Sequence, residues 1–169
     1  MPSLIKDRRI VNDDAWLLVT PTSDGVLPAI PCVGDVIVPL SVWQATKQQL
    51  LERDGRLGVW LDTHEEPAAI ASDLTHFAVV AVNFPTHTDG RAYSIARLLR
   101  ERYGYTGELR AIGDVLRDQI FYMHRCGFNS FAVRADKSIE NALTAFGDFS
   151  EAYQTAVDRP VPLFRRRRQ

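Results

Sequence analysis

Cysteine is scarce in this chain: Cys32 and Cys126 are the only two in 169 residues, and they stand far apart. They form no CxxC pair and cannot supply the thiolates of an iron–sulfur cluster, so both are expected as free thiols in a reducing compartment. Long apolar runs are also missing. No stretch approaches the roughly 18 residues of a membrane span, and the opening MPSLIKDRRIV is too polar for a secretory leader. The expected location is the cytoplasm. A net charge of one sign is lacking as well, at −1 overall, which argues against nucleic acid as the main partner. No GxSxG elbow, Walker loop or GxGxxG fingerprint occurs, so serine-hydrolase, P-loop and dinucleotide-fold readings fail. The histidines, His64, His76, His87 and His124, have no HxxxH or HExxH spacing, and no metal site is expected. The residues assign no cofactor.

What is present is ordinary globular usage, 46% hydrophobic and 24% charged, enough for one domain with its own core. The most informative stretch is Val79 to Tyr105. An apolar run, Val79 to Val82, predicts a buried strand, a polar turn (THTDG) follows, and an amphipathic helix puts Ala92, Ile95, Ala96, Leu99 and Tyr103 on one face. Strand, polar turn and helix is the unit that α/β proteins use to place side chains at the carboxyl edge of a sheet.

The same rhythm repeats. Strands are predicted at about 57–61, 79–84, 109–112 and 129–133, with helices from Pro67 to about His76, from Asp114 as N-cap through about Cys126, and from about Ser138 to Phe146. Alternation from Leu57 onward calls for right-handed crossovers and a mostly parallel sheet, either an open three-layer sheet or a partial barrel, since a full barrel needs about 250 residues. Upstream, Leu4–Lys6 and Trp16–Val19 are predicted to pair as an N-terminal β-hairpin. Pro21 to Pro31 reads as loop, Val36 to Leu40 as a third strand in which Pro39 marks either a sheet edge or the strand's end, and Ser41 as the N-cap of a helix to about Asp54. The domain expected is 1–155, with 1–40 as hairpin and loop, and 156–169 as a flexible basic tail ending in Arg165 to Arg168.

If the strands are parallel, their carboxyl ends share one rim, and Asp62, Asn83, Thr88, Asp89, Gly90, Arg91, Asp114, Arg117 and Arg134 converge there. The first turn of a helix has unpaired amides and partial positive charge, so the Thr88–Arg91 turn suits a small anion, with Arg91 and Arg117 as guanidinium forks. The competing reading makes Asp89 and Asp114 plain helix caps, with Arg91 paired to one of them. His64 and His87 fall in rim loops, where either could serve as acid or base, and Trp16, Trp43 and Trp60 read as core or hairpin anchors.

The motifs GVWLD (58–62), VNFPTHTDGRAYSIARLLRERYGYTGELRAIGDVLRDQIFYMHRCGF (82–128) and AFGDFSEAY (145–153) resemble a bacterial domain-of-unknown-function family. Its members are labelled as oxidoreductases involved in sulfite reduction and are encoded beside sulfite reductase and phosphoadenylylsulfate reductase. The resemblance implies an accessory protein of assimilatory sulfate or sulfite reduction, acting with sulfite reductase or another sulfate-assimilation enzyme. The residues themselves offer no redox ligands for a centre of its own. The alternative is an enzyme or binding domain that recognises a sulfur-containing or phosphorylated anion at the rim.

Overall fold

The apolar runs become the inner strands of a single sheet. The computed structural model describes residues 3–21, 26 and 29–166. Its strands are β1 (Ser3–Lys6), β2 (Arg9–Val11), β3 (Leu17–Leu18), β4 (Val36–Pro39), β5 (Leu57–Leu61), β6 (Phe77–Phe84), β7 (Glu108–Gly113) and β8 (Ser130–Val133). The helices are α1 (Leu40–Leu51), α2 (Arg91–Glu101), α3 (Arg117–Arg125), α4 (Ile139–Thr144) and α5 (Leu163–Arg166), with a 3-10 segment at Pro67–His76. No helix among the described residues is long and apolar enough to cross a membrane.

The strand order is β2-β1-β8-β7-β6-β5-β4-β3, and β3 through β8 are all parallel neighbours. The predicted parallel arrangement of the strands from Leu57 onward is therefore present. Each new strand adds on the same side of the last, so right-handed crossovers carry α1, the 3-10 segment, α2 and α3 to one face. The core divides accordingly. Val59, Leu61, Val80, Val82, Phe84, Leu109 and Phe131 pack with helix residues such as Leu99, Ile120 and Met123. The opposite parity, Ile37, Val79, Ala81 and Ile112, packs with Trp16 and, among the described residues, with no helical one. Of the two architectures expected, the structure is the partial barrel, with one helical and one bare face.

Chain geometry requires the sheet to curl. The end strands β2 and β3 are joined through only Asn12–Trp16, six residue steps from Val11 to Leu17, which span at most about 22 Å. Eight flat strands would separate those edges by about 34 Å. The sheet therefore bends into a half-barrel, and residues 12–16 form a strap across its open concave side.

Three expectations are corrected. The hairpin partner of β1 is β2, not Trp16–Val19: Asp7 and Arg8 both take positive φ (48° and 61°), the backbone of a two-residue hairpin turn. Leu17–Leu18 lies instead at the far edge beside β4, where Val36–Pro39 is an inner strand with Pro39 at its end, the second of the two placements expected for that proline. Helix α1 starts at Leu40 after Pro39 and ends at Leu51, with no side-chain cap from Ser41. Helix α3 starts at Arg117 after Leu116, so Asp114 is not its cap.

The loop expected over Pro21 to Pro31 lies in part outside the described residues. Near the end of the chain, Val157 donates its amide to the Arg125 carbonyl at 3.1 Å. Arg159 and Arg166 both pair with Glu151, and Arg167 and Arg168 lie outside the described residues.

Candidate functional site: the carboxyl rim

Parallel strands end on one rim, and here Asp62 follows β5, Asn83 closes the concave face of β6, Asp114 follows β7 and Arg134 follows β8. Two polar clusters form there, and the β6–α2 loop feeds both.

The first cluster starts at Asp62. Its Oδ1 accepts the Thr63 amide at 2.7 Å and the Asn83 side-chain amide at 3.4 Å, and its Oδ2 lies 3.6 Å from His64 Nδ1. Thr63 is buried, and its side chain helps to hold the Asp89 carboxyl low. Asp89 in turn holds Arg91 with a fork, Nη2 to Oδ2 at 2.6 Å and Nε to Oδ1 at 3.0 Å, and accepts the Arg91 amide at 3.1 Å. The Arg91 guanidinium, with these bonds, holds the Asp89 carboxyl well below the usual carboxylate range.

The second cluster centres on Asp114. Its Oδ2 accepts the His87 amide at 2.9 Å and lies 3.2 Å from His87 Nδ1, while its Oδ1 accepts from Arg134 Nη1 at 2.8 Å. Arg134 and these His87 contacts lower the Asp114 carboxyl below its ordinary value. This explains why Asp114 does not cap α3: its oxygens are committed to groups from two other loops. Arg134 also grips Asp136 at 2.6 and 2.8 Å. Gly113 makes the junction possible. Its φ is +90°, and a Cβ there would strike the Phe84 carbonyl oxygen and lie 2.5 Å from Asn83 Oδ1, so a side chain would force the two loops apart.

Of the residues named from sequence, Asp62, Asn83, Asp89 and Arg91 fall in the first cluster, and Asp114 and Arg134 in the second. Thr88 bonds Thr86, hydroxyl to hydroxyl at 3.1 Å, and Gly90 is the N-cap of α2 without a side-chain bond of its own. Arg117 is spent elsewhere, on Asp148 at 2.6 and 3.0 Å and on Thr144. Sequence reasoning missed Thr63 and Asp136. Both sit within two residues of a predicted strand-end residue, which is the signal that could have found them.

Chemically the rim offers two pairs of an exposed histidine and a half-buried carboxylate, His64 with Asp62 and His87 with Asp114, an arrangement that can pass a proton. It offers little uncommitted positive charge, because Arg91, Arg117 and Arg134 are each in an ion pair. Beside the first cluster, between residues 63–68 and α2, lies an open recess of about 550 Å³.

A further set of charges sits low on the concave face. Glu108 and Arg110 alternate with Leu109 and Ala111 along β7, and their side chains are each 5% exposed. Arg110 pairs with Glu108 at 2.7 Å and with Asp14 of the strap at 2.7 Å, and Lys6 reaches Glu108 at 2.6 Å.

Comparison with known proteins finds a family match. The model of a family described as bacterial protein of unknown function (DUF934) covers residues 58–164, well over half of the chain, and so includes β5 but for its first residue, β6 through β8 and the whole rim. No curated protein and no solved structure matches significantly.

Proposed function

Since the chain belongs to the DUF934 family of bacterial proteins, we propose that it is an accessory protein of assimilatory sulfite reduction that works by associating with sulfite reductase. The pathway rests on the resemblance carried by the Val82–Phe128 motif. The observation that favours an accessory role over anion chemistry is the state of the rim guanidiniums. Arg91, Arg117 and Arg134 are each matched to a carboxylate of this chain, and Asp89 and Asp114 are further anchored by the backbone amides of Arg91 and His87, so an incoming anion at the rim must displace a carboxylate that the backbone holds in place. The test is co-purification of the tagged chain with sulfite reductase holoenzyme at low salt, both partners folded. Co-elution is expected, and separate elution would overturn the association.

A second reading has one observation behind it. The recess beside the first cluster is large enough for a small metabolite, and Arg91, 62% exposed, stands at its wall. A sulfur-containing or phosphorylated anion there would raise stability by roughly 2.7 kcal/mol at a hundred times its dissociation constant. For a chain of this size that is about 5–11 °C in melting temperature. A screen of sulfate, sulfite and adenylylsulfate in which no member shifts the melt would remove this reading.

A further inference from the structure

The strap is fastened in an unusual way. Among the described residues, no backbone hydrogen bond is made by residues 12–16. Two side chains hold the segment. Asp14 forks onto Arg110 at 2.7 and 3.2 Å. Trp16 packs on Ile37, Val79, Ala81 and Ile112, with the Arg56 guanidinium 5.0 Å above its ring. Beneath the strap is a cavity of about 220 Å³, walled by Leu4, Trp16, Leu18, Ile37, Ile112 and Ala132, and Asp14 and Arg110 form its polar end.

We propose that this cavity binds a small monocarboxylate with an apolar body, and that the ligand's carboxylate takes Arg110 over from Asp14. The chemistry follows from the parts. Glu108 holds Arg110 through Nε and Nη2, at 2.8 and 2.7 Å, so the fork stays oriented when Asp14 leaves. Lys6 and Arg110 balance Glu108 and Asp14 in charge. Withdrawal of Asp14 therefore leaves one positive charge in excess, which a ligand carboxylate restores with the same bidentate geometry. The walls are aliphatic and aromatic, suited to a hydrocarbon body. A dry aliphatic cavity of about 150 Å³ in another protein accepts benzene, so about 220 Å³ has room for one ring and its carboxylate. Asp14 is thus a built-in competitor on a segment that side chains alone retain. The proposal is independent of the association with sulfite reductase, because it uses the concave face and not the rim.

The test titrates the full chain with benzoate and phenylacetate, and with neutral benzamide as control, by ligand-observed saturation-transfer NMR. Benzoate is expected to bind, with benzamide at least tenfold weaker. The Asp14→Ala variant should bind benzoate about tenfold tighter than the wild type, because the closed state no longer competes for Arg110. If Asp14→Ala does not fold, Asp14→Asn keeps the side-chain shape without the charge and should give the same tightening. Equal affinity for benzoate and benzamide, no tightening in the folded Asp14 variant, or no binding to either protein would each overturn the proposal.

Discussion

Replacing Glu108 with alanine probes the charge cluster on which the strap and the concave face depend. The Glu108 carboxylate is 5% exposed and takes Lys6 at 2.6 Å and Arg110 at 2.7 Å. Removing one partner of a buried pair costs about 3–5 kcal/mol, because the other charge stays buried. Arg110 keeps Asp14, which puts the expected loss at the lower end, about 3 kcal/mol, or roughly 6–12 °C in melting temperature. Lys6 is the internal control. Its side chain is 40% exposed, so Lys6→Ala should cost no more than about 1 kcal/mol. The acid limb gives a second readout. Burial pushes the Glu108 carboxyl up, but Arg110 and Lys6 outweigh it and leave the group below its ordinary value of 4.5. A depressed folded value means that the stabilisation is complete above about pH 4.5 and is lost as pH falls through the folded value. Urea denaturation of both variants, followed by circular dichroism between neutral pH and pH 3, measures all of this. A Glu108→Ala loss no larger than that of Lys6→Ala, with an unchanged acid limb, would refute the reasoning.

Three further outcomes are expected. Gly113→Ala meets both a positive φ and the Phe84 carbonyl, and should lower stability by about 2 kcal/mol or more, read from the urea midpoint. Arg91→Ala removes an exposed guanidinium and leaves Asp89 the residue-91 amide, and should leave the melting temperature nearly unchanged; a large loss would mean that the Asp89 fork holds the rim together. Cys32 is exposed, whereas Cys126 is buried and burial pushes its thiol up. A chromogenic disulfide reagent should therefore label Cys32 at once and Cys126 only after unfolding, and rapid native labelling of both would contradict the packing under α3.

The parallel half of the fold was legible because burial on both faces leaves a near-continuous apolar run, as in Val79–Val82 and Leu57–Leu61. The amino-terminal part was not. Trp16–Val19 is more apolar than Arg9–Val11 and looks the better hairpin partner, but the Asp7–Arg8 turn decides the pairing locally. The strap was hidden for the same reason: a short polar link declares its role only when the two strands it joins prove to be opposite edges. Asp114 has the residue type of a helix cap, yet its partners, His87 and Arg134, come from loops far away in sequence. The charges of β7 did leave a trace. Glu108 and Arg110, two apart in a strand otherwise apolar, must share a face, and a buried face that carries charges needs partners such as Lys6 and Asp14.

The central functional claim meets its most direct test in growth. A strain lacking this gene, in a background without a redundant pathway, is expected to grow poorly when sulfate or sulfite is the sole sulfur source and normally when sulfide or cysteine is supplied. Growth on sulfate at the parental rate would contradict the assignment to sulfite reduction.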